Sequence, residues 1–147
     1  MIRDIVHLNL NVTDIHRSIA FYESIGFKVM HVFGDHEDSD VDEGMDFQGK
    51  RCRGAVLSLG DHPRSWTKIE LIEWVEPKVE AVPARGAYAA GVSRIALRTK
   101  NLLEFVEELE AKGIAMESPP QEIDIVGAKR FALFRDPDGI LLELIEF

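Results

Sequence analysis

The sequence predicts an α+β fold: two βαβββ modules whose paired, mixed sheets curl around a cavity. Three observations predict it. Strand-period and helix-period segments follow one another in the order β-α-β-β-β, and the order then recurs. The recurrence keeps register, since His7 maps to Arg94 and Gly26 to Gly113, both 87 residues on. The stretch 76–90 (EPKVEAVPARGAYAA) is rich in Pro, Ala and Gly and holds no sustained period, so it reads as a linker. The modules are then 1–75 and 91–147, together one compact domain.

Residues 5–12 (IVHLNLNV) alternate, with Val6, Leu8, Leu10 and Val12 on one face and Ile5, His7, Asn9 and Asn11 on the other. Asp14 caps a helix to about Ile25, with Ile15, Ile19 and Tyr22 at helical spacing, and Gly26 stops it. Strands are expected over 27–33, 54–60 and 67–75. In the second module 92–99 (VSRIALRT) is a strand, and Asn101 caps a helix carrying Leu102, Phe105, Val106 and Leu109. Gly113 ends it, and short strands follow near 114–116, 129–135 and 140–147. The faces of the two opening strands correspond: His7, Asn9 and Asn11 match Arg94, Ala96 and Arg98. The long irregular piece 34–53 (GDHEDSDVDEGMDFQGKRCR) is of a length usual for a binding loop or lid.

Composition narrows the function. With 17 basic and 26 acidic residues the net charge is −9, which argues against nucleic-acid binding, because neutralising phosphates needs a basic face. The lone Cys52 allows no internal disulfide and fits a reducing compartment. No apolar run approaches the ~18 residues of a membrane span. Charged residues and histidines interrupt the first 17 positions, so no signal core is expected and a cytoplasmic location is.

Two strands close the modules with a carboxylate on a mostly apolar face. Glu70 in TKIELIEWV shares its face with Ile72 and Trp74, and Glu143 in GILLELIEF shares its face with Leu141 and Ile145. Such a carboxylate must be paired, protonated or bound to a metal. Arg94 and Arg98 are candidate salt-bridge partners, and His7 can offer an imidazole to the same cavity. Elsewhere the residues carry less. His16, His31, His36 and His62 lack a partner pattern, and Cys52 lacks a helix N-terminus or a histidine neighbour. Asp38, Asp40 and Asp42 imitate the start of a calcium loop, but Glu43 and Gly49 stand where it needs Gly and Glu. Met45, Phe47 and Trp74 can line an apolar pocket or belong to ordinary core.

The doubled β-α-β-β-β order, the helix pattern DIHRSIAFYESIGF and the closing DPDGILLELIEF resemble the vicinal-oxygen-chelate superfamily, from His7 to Phe147. That superfamily includes glyoxalase I, bleomycin-resistance proteins and extradiol dioxygenases. The resemblance implies one metal ligand from the first and last strand of each module, at positions held here by His7, Glu70, Arg94 and Glu143. The implied metal set is His7, Glu70 and Glu143, because a guanidinium has no lone pair to donate. At ~6 Å and an effective dielectric of ~20, Arg94 would repel a divalent ion by about 5 kcal/mol, which two carboxylates offset in large part. It would otherwise hold an anionic substrate group or bridge the two glutamates.

The implied function is a glyoxalase-like lyase or isomerase acting on a small molecule. A divalent ion (Zn, Ni, Mn or Fe) would hold vicinal oxygens, and Glu143 or Glu70 would be the base that moves a proton. Arg94, Asn9, Asn11, Arg98 and Trp74 are the expected substrate contacts, and a homodimer is the expected assembly. Two alternatives stand beside it. One is a metal-free binding protein that sequesters an aromatic or cationic compound, favoured by the negative charge. The other is an extradiol-type dioxygenase, disfavoured by the single suitable histidine.

Overall fold

The computed structural model describes residues 1–2, 5–36, 49–60, 67–81, 88 and 90–147. The acidic stretch 37–48, with Met45 and Phe47, lies outside the described residues, as does His62. The chain divides into two units, Met1–Ala81 and Val82–Phe147.

The first unit runs β1 (Leu8–Asn11), α1 (Ile15–Ser24), β2 (Phe27–His36), β3 (Arg51–Leu59) and β4 (Lys68–Glu76). Its sheet has the order β1-β4-β3-β2, with β1 parallel to β4 and the other pairs antiparallel. The second unit repeats this with β5 (Ile95–Thr99), α2 (Leu102–Ala111), β6 (Gln121–Ile125), β7 (Ala128–Arg135) and β8 (Leu141–Glu146), in the order β5-β8-β7-β6. These are the two mixed sheets of paired βαβββ modules.

Each helix covers one face of its own sheet. Ile15, Ser18 and Tyr22 are the buried positions of α1, and Leu102, Val106 and Leu109 those of α2. They bury against Leu57, Ile69 and Leu71 in the first unit and against Ala132, Phe134, Leu142 and Leu144 in the second. The Tyr22 and Phe27 rings meet edge to face at 5.4 Å. The helix starts are built as the sequence suggests. Asp14 accepts from the His16 and Arg17 amides, and Asn101 accepts from Glu104. Gly26 (φ 104°) and Gly113 (φ 81°) follow the helix ends in the left-handed region, where glycine escapes the Cβ penalty.

Four boundaries differ from the sequence expectation, one of them the strand expected over 92–99, which begins at Ile95 so that Arg94 precedes it. The first strand is paired only over Leu8–Asn11, so His7 precedes it and Val6 is exposed. The expected strand near 114–116 is one bridge, Met116 to Phe134; the outer strand of the second sheet is Gln121–Ile125 instead. QEIDI is mostly polar because it is an exposed edge, so it lacks the apolar alternation that marks a half-buried strand. Strands β2 and β3 also extend into both ends of the stretch read as a loop over 34–53.

The DPDG sequence is a self-capped turn that feeds β8. Buried Asp136 accepts from the Asp138 and Ile140 amides at 3.0 and 2.7 Å, and Gly139 sits at φ 87°. The turn therefore fixes which residues of β8 face the helix and which face away.

Candidate functional site

In each unit the sheet face away from the helix carries the polar residues singled out above. In the first unit the parallel register sets Asn9 beside Glu70 and Asn11 beside Ile72. His7 lies one step before β1 on the Asn9 face, and its Nε2 is 3.3 Å from Glu70 Oε2. Asn11 Oδ1 accepts from the Trp74 indole Nε1 at 3.0 Å, which fixes the ring on this face. Asn9 is exposed. Across the sheet Cys52 stands beside Trp74 and Gly54 beside Ile72. Gly54 is required there, since a Cβ would come within 2.5 Å of the Phe33 ring and strike the Leu71 carbonyl oxygen.

In the second unit Glu143 is set beside Ala96 and Ile145 beside Arg98. Arg94 occupies the place that His7 has in the first unit, and its Nε donates to Glu143 Oε2 at 2.8 Å. Of the two salt-bridge partners proposed for the glutamates, Arg94 therefore takes Glu143. Among the described residues Arg98 pairs with no glutamate, and its guanidinium lies over the Phe147 ring, 4.2 Å from the centroid. The halves thus present the same arrangement, a side chain from just before the first strand on a glutamate of the last strand, with an imidazole in one and a guanidinium in the other.

Two carboxylates escaped the sequence reading. Glu73 and Glu146 lie three residues beyond Glu70 and Glu143, an odd step, so they face the helices. Glu73 Oε2 accepts the Ile15 amide at 2.8 Å and is paired with Arg53 from β3. Glu146 Oε2 accepts the Leu102 amide at 2.9 Å and is paired with Arg130 from β7. Each ties the first turn of a helix to the last strand of its sheet. Burial raises the Glu73 carboxyl, but the Arg53 guanidinium and the Ile15 amide outweigh it and hold it below its ordinary value. The signal was present in the sequence as ELIE, repeated at 70–73 and 143–146.

The donor chemistry suits a divalent ion at some of these positions. His7 and Glu70 supply an imidazole and a carboxylate that already converge, which fits a borderline metal. The Arg94 position does not fit, and among the described residues no group of three or more His, Cys, Asp or Glu could hold a metal ion. No described helix is long and apolar enough to cross a membrane.

The comparisons bear on the fold and the family. The chain is 29% identical to an uncharacterised protein of Bacillus subtilis, YwkD, over 99% of this chain and 98% of that one. Its fold is similar to a glyoxalase family protein from Bacillus cereus, with TM-score 0.83 and 19% identity over 99% of this chain and 95% of that one. It is also similar to a fosfomycin resistance protein, FosX, from Listeria monocytogenes, solved with Mn(II) and a dihydroxypropylphosphonic acid. There the TM-score is 0.66 and the identity 19%, over 99% of this chain and 93% of that one. A family model matches residues 4–144, and on that match the chain belongs to the Glyoxalase/Bleomycin resistance protein/Dioxygenase superfamily.

Proposed function

We propose that the protein is a lyase or isomerase of this superfamily that acts on a small molecule offering adjacent oxygens. The observation that supports this reading is the close approach of His7 Nε2 and Glu70 Oε2, 3.3 Å, at the two ligand positions of the first unit. This reading keeps His7, Glu70 and Glu143 as the donor set that the family resemblance implies for a divalent ion. Such an ion, when bound, supplies Lewis acidity toward a developing oxyanion. The rest is the work of the chain. Arg94 fixes one oxygen of Glu143, and the other, once loosened from the donor role, exchanges a proton with the substrate. Glu70 is the alternative base once loosened from a donor role. Asn9, Asn11 and Trp74 offer polar and aromatic contacts on the same face as Glu70, with the indole held by Asn11.

A second reading is a metal-free binding protein. It is favoured by one observation: the Arg94 guanidinium already satisfies Glu143, at 2.8 Å. Metal analysis of the mildly purified protein separates the two. One tightly held divalent ion per chain, lost in His7→Ala and Glu70→Gln, is the expected result. A protein that holds none, and takes up none from zinc, nickel or manganese solutions, overturns the enzyme reading in favour of the binder.

A further inference from the structure

Arg98 differs in its surroundings from four other arginines of the described residues. Arg53, Arg94, Arg130 and Arg135 each pair with a glutamate. Arg98 is exposed and rests on an aromatic ring, with no carboxylate partner among the described residues. In a chain with 26 acidic residues an unpaired guanidinium is unusual. Stacking on Phe147 occupies a face of the guanidinium and leaves its N–H edge free, and that edge is the one that grips a carboxylate with two parallel hydrogen bonds. The ring also limits the rotamers that the side chain samples, so less freedom is lost when a ligand binds.

Position gives the edge a purpose. Ala96 and Arg98 share one face of β5, Arg94 lies one step before the strand, and Ala96 stands beside Glu143. Ala96 is exposed and puts only a methyl group between the Glu143 level and Arg98. One face-to-face step along a strand is ~6.7 Å. A ligand spanning that step needs a carboxylate at one end and, two or three carbons away, the oxygen-bearing carbon on which Glu143 works.

We infer that Arg98, braced on Phe147, is the anchor for the carboxylate of a short keto or hydroxy acid. This rests on the reading of Glu143 as a working group of the site. It selects an anionic ligand, against the cationic one that the overall charge suggests. The interaction is local: a charge-assisted, two-point contact outweighs a diffuse field that salt screens.

The test uses levulinate and its methyl ester as probes, with binding read by calorimetry and by the Arg98 Nε–H resonance. Wild type should bind levulinate roughly ten-fold or more tightly than the uncharged ester. In Arg98→Gln the preference should vanish. In Arg98→Lys part should remain, because charge survives without the planar fork. In Phe147→Leu levulinate should bind several-fold less tightly while still being preferred. A preference unchanged in Arg98→Gln, or an Arg98 resonance that neither probe moves, overturns the proposal. Metal uptake measured on the same samples keeps the two readings apart. No uptake with the preference intact supports the anchor and refutes only the metal; full uptake with no preference refutes only the anchor.

Discussion

Replacing Glu73 tests the frame on which the site is built. Its carboxylate accepts the Ile15 amide at 2.8 Å and the Arg53 guanidinium at 3.1 Å, from a side chain only 13% exposed. A hydrogen bond to a charged acceptor contributes about 1.5–3 kcal/mol. A partly exposed ion pair adds about 0.5–1 kcal/mol. Glu73→Ala removes both and strands two donors, so the expected loss is about 2–4 kcal/mol. Glu73→Gln keeps an oxygen for Ile15 and loses only the charge, which should cost about 1–2 kcal/mol. Urea unfolding of the three proteins, followed by far-UV circular dichroism, measures both values.

The pH dependence supplies the sharper check. The folded carboxyl is held below its unfolded value, so its stabilisation is fully present above the unfolded value. It is lost as pH falls through the lowered folded value. The gap between wild type and Glu73→Gln should therefore be full at neutral pH and close in acid. A gap that persists in acid would refute the electrostatic account. So would a Glu73→Ala loss below about 0.5 kcal/mol, the level of an ordinary surface change.

Three further outcomes are expected. Gly54→Ala should lower stability by about 1–3 kcal/mol, since the added methyl meets the Phe33 ring and a backbone oxygen; an unchanged thermal midpoint would show that the strand yields there. Asn101→Ala should cost about 1 kcal/mol through loss of the α2 cap, read by denaturant unfolding. Arg94→His should raise affinity for zinc, nickel or manganese by about one order of magnitude or more, because it trades a positive charge for a lone pair beside Glu143. Calorimetric titration of wild type and variant reads that change, and an affinity unchanged by the substitution for all three ions would remove Arg94 from any ligand position.

The repeat was legible because its signals are local. Asp14 and Asn101, Gly26 and Gly113 each report a helix end through their own backbone chemistry. Glu70 and Glu143 stood out because a carboxylate on an apolar face is costly without a partner. Which partner each one takes was not legible. That Arg94 reaches Glu143 while Arg98 turns to Phe147 depends on side-chain rotamers, which strand period does not determine. The outer strand Gln121–Ile125 was hidden by its exposure, and Glu73 and Glu146 by looking like ordinary polar positions of a strand end. Their role arises only when a helix start 44 or 58 residues earlier is brought to them.

The ELIE segment makes each last strand a two-sided component. Its second glutamate holds the helix, and its first faces the polar surface opposite. Comparing the two copies shows where change has been tolerated. The fastening to the helix is the same in both, down to an arginine on the neighbouring strand. The partner on the other side has become an imidazole in one copy and a guanidinium in the other. Because the two glutamates point to opposite sides of the sheet, a substitution that alters what the protein can hold leaves the carpentry of the module untouched. Duplication on such a strand gives a chain two chemical faces to vary independently on one kind of frame.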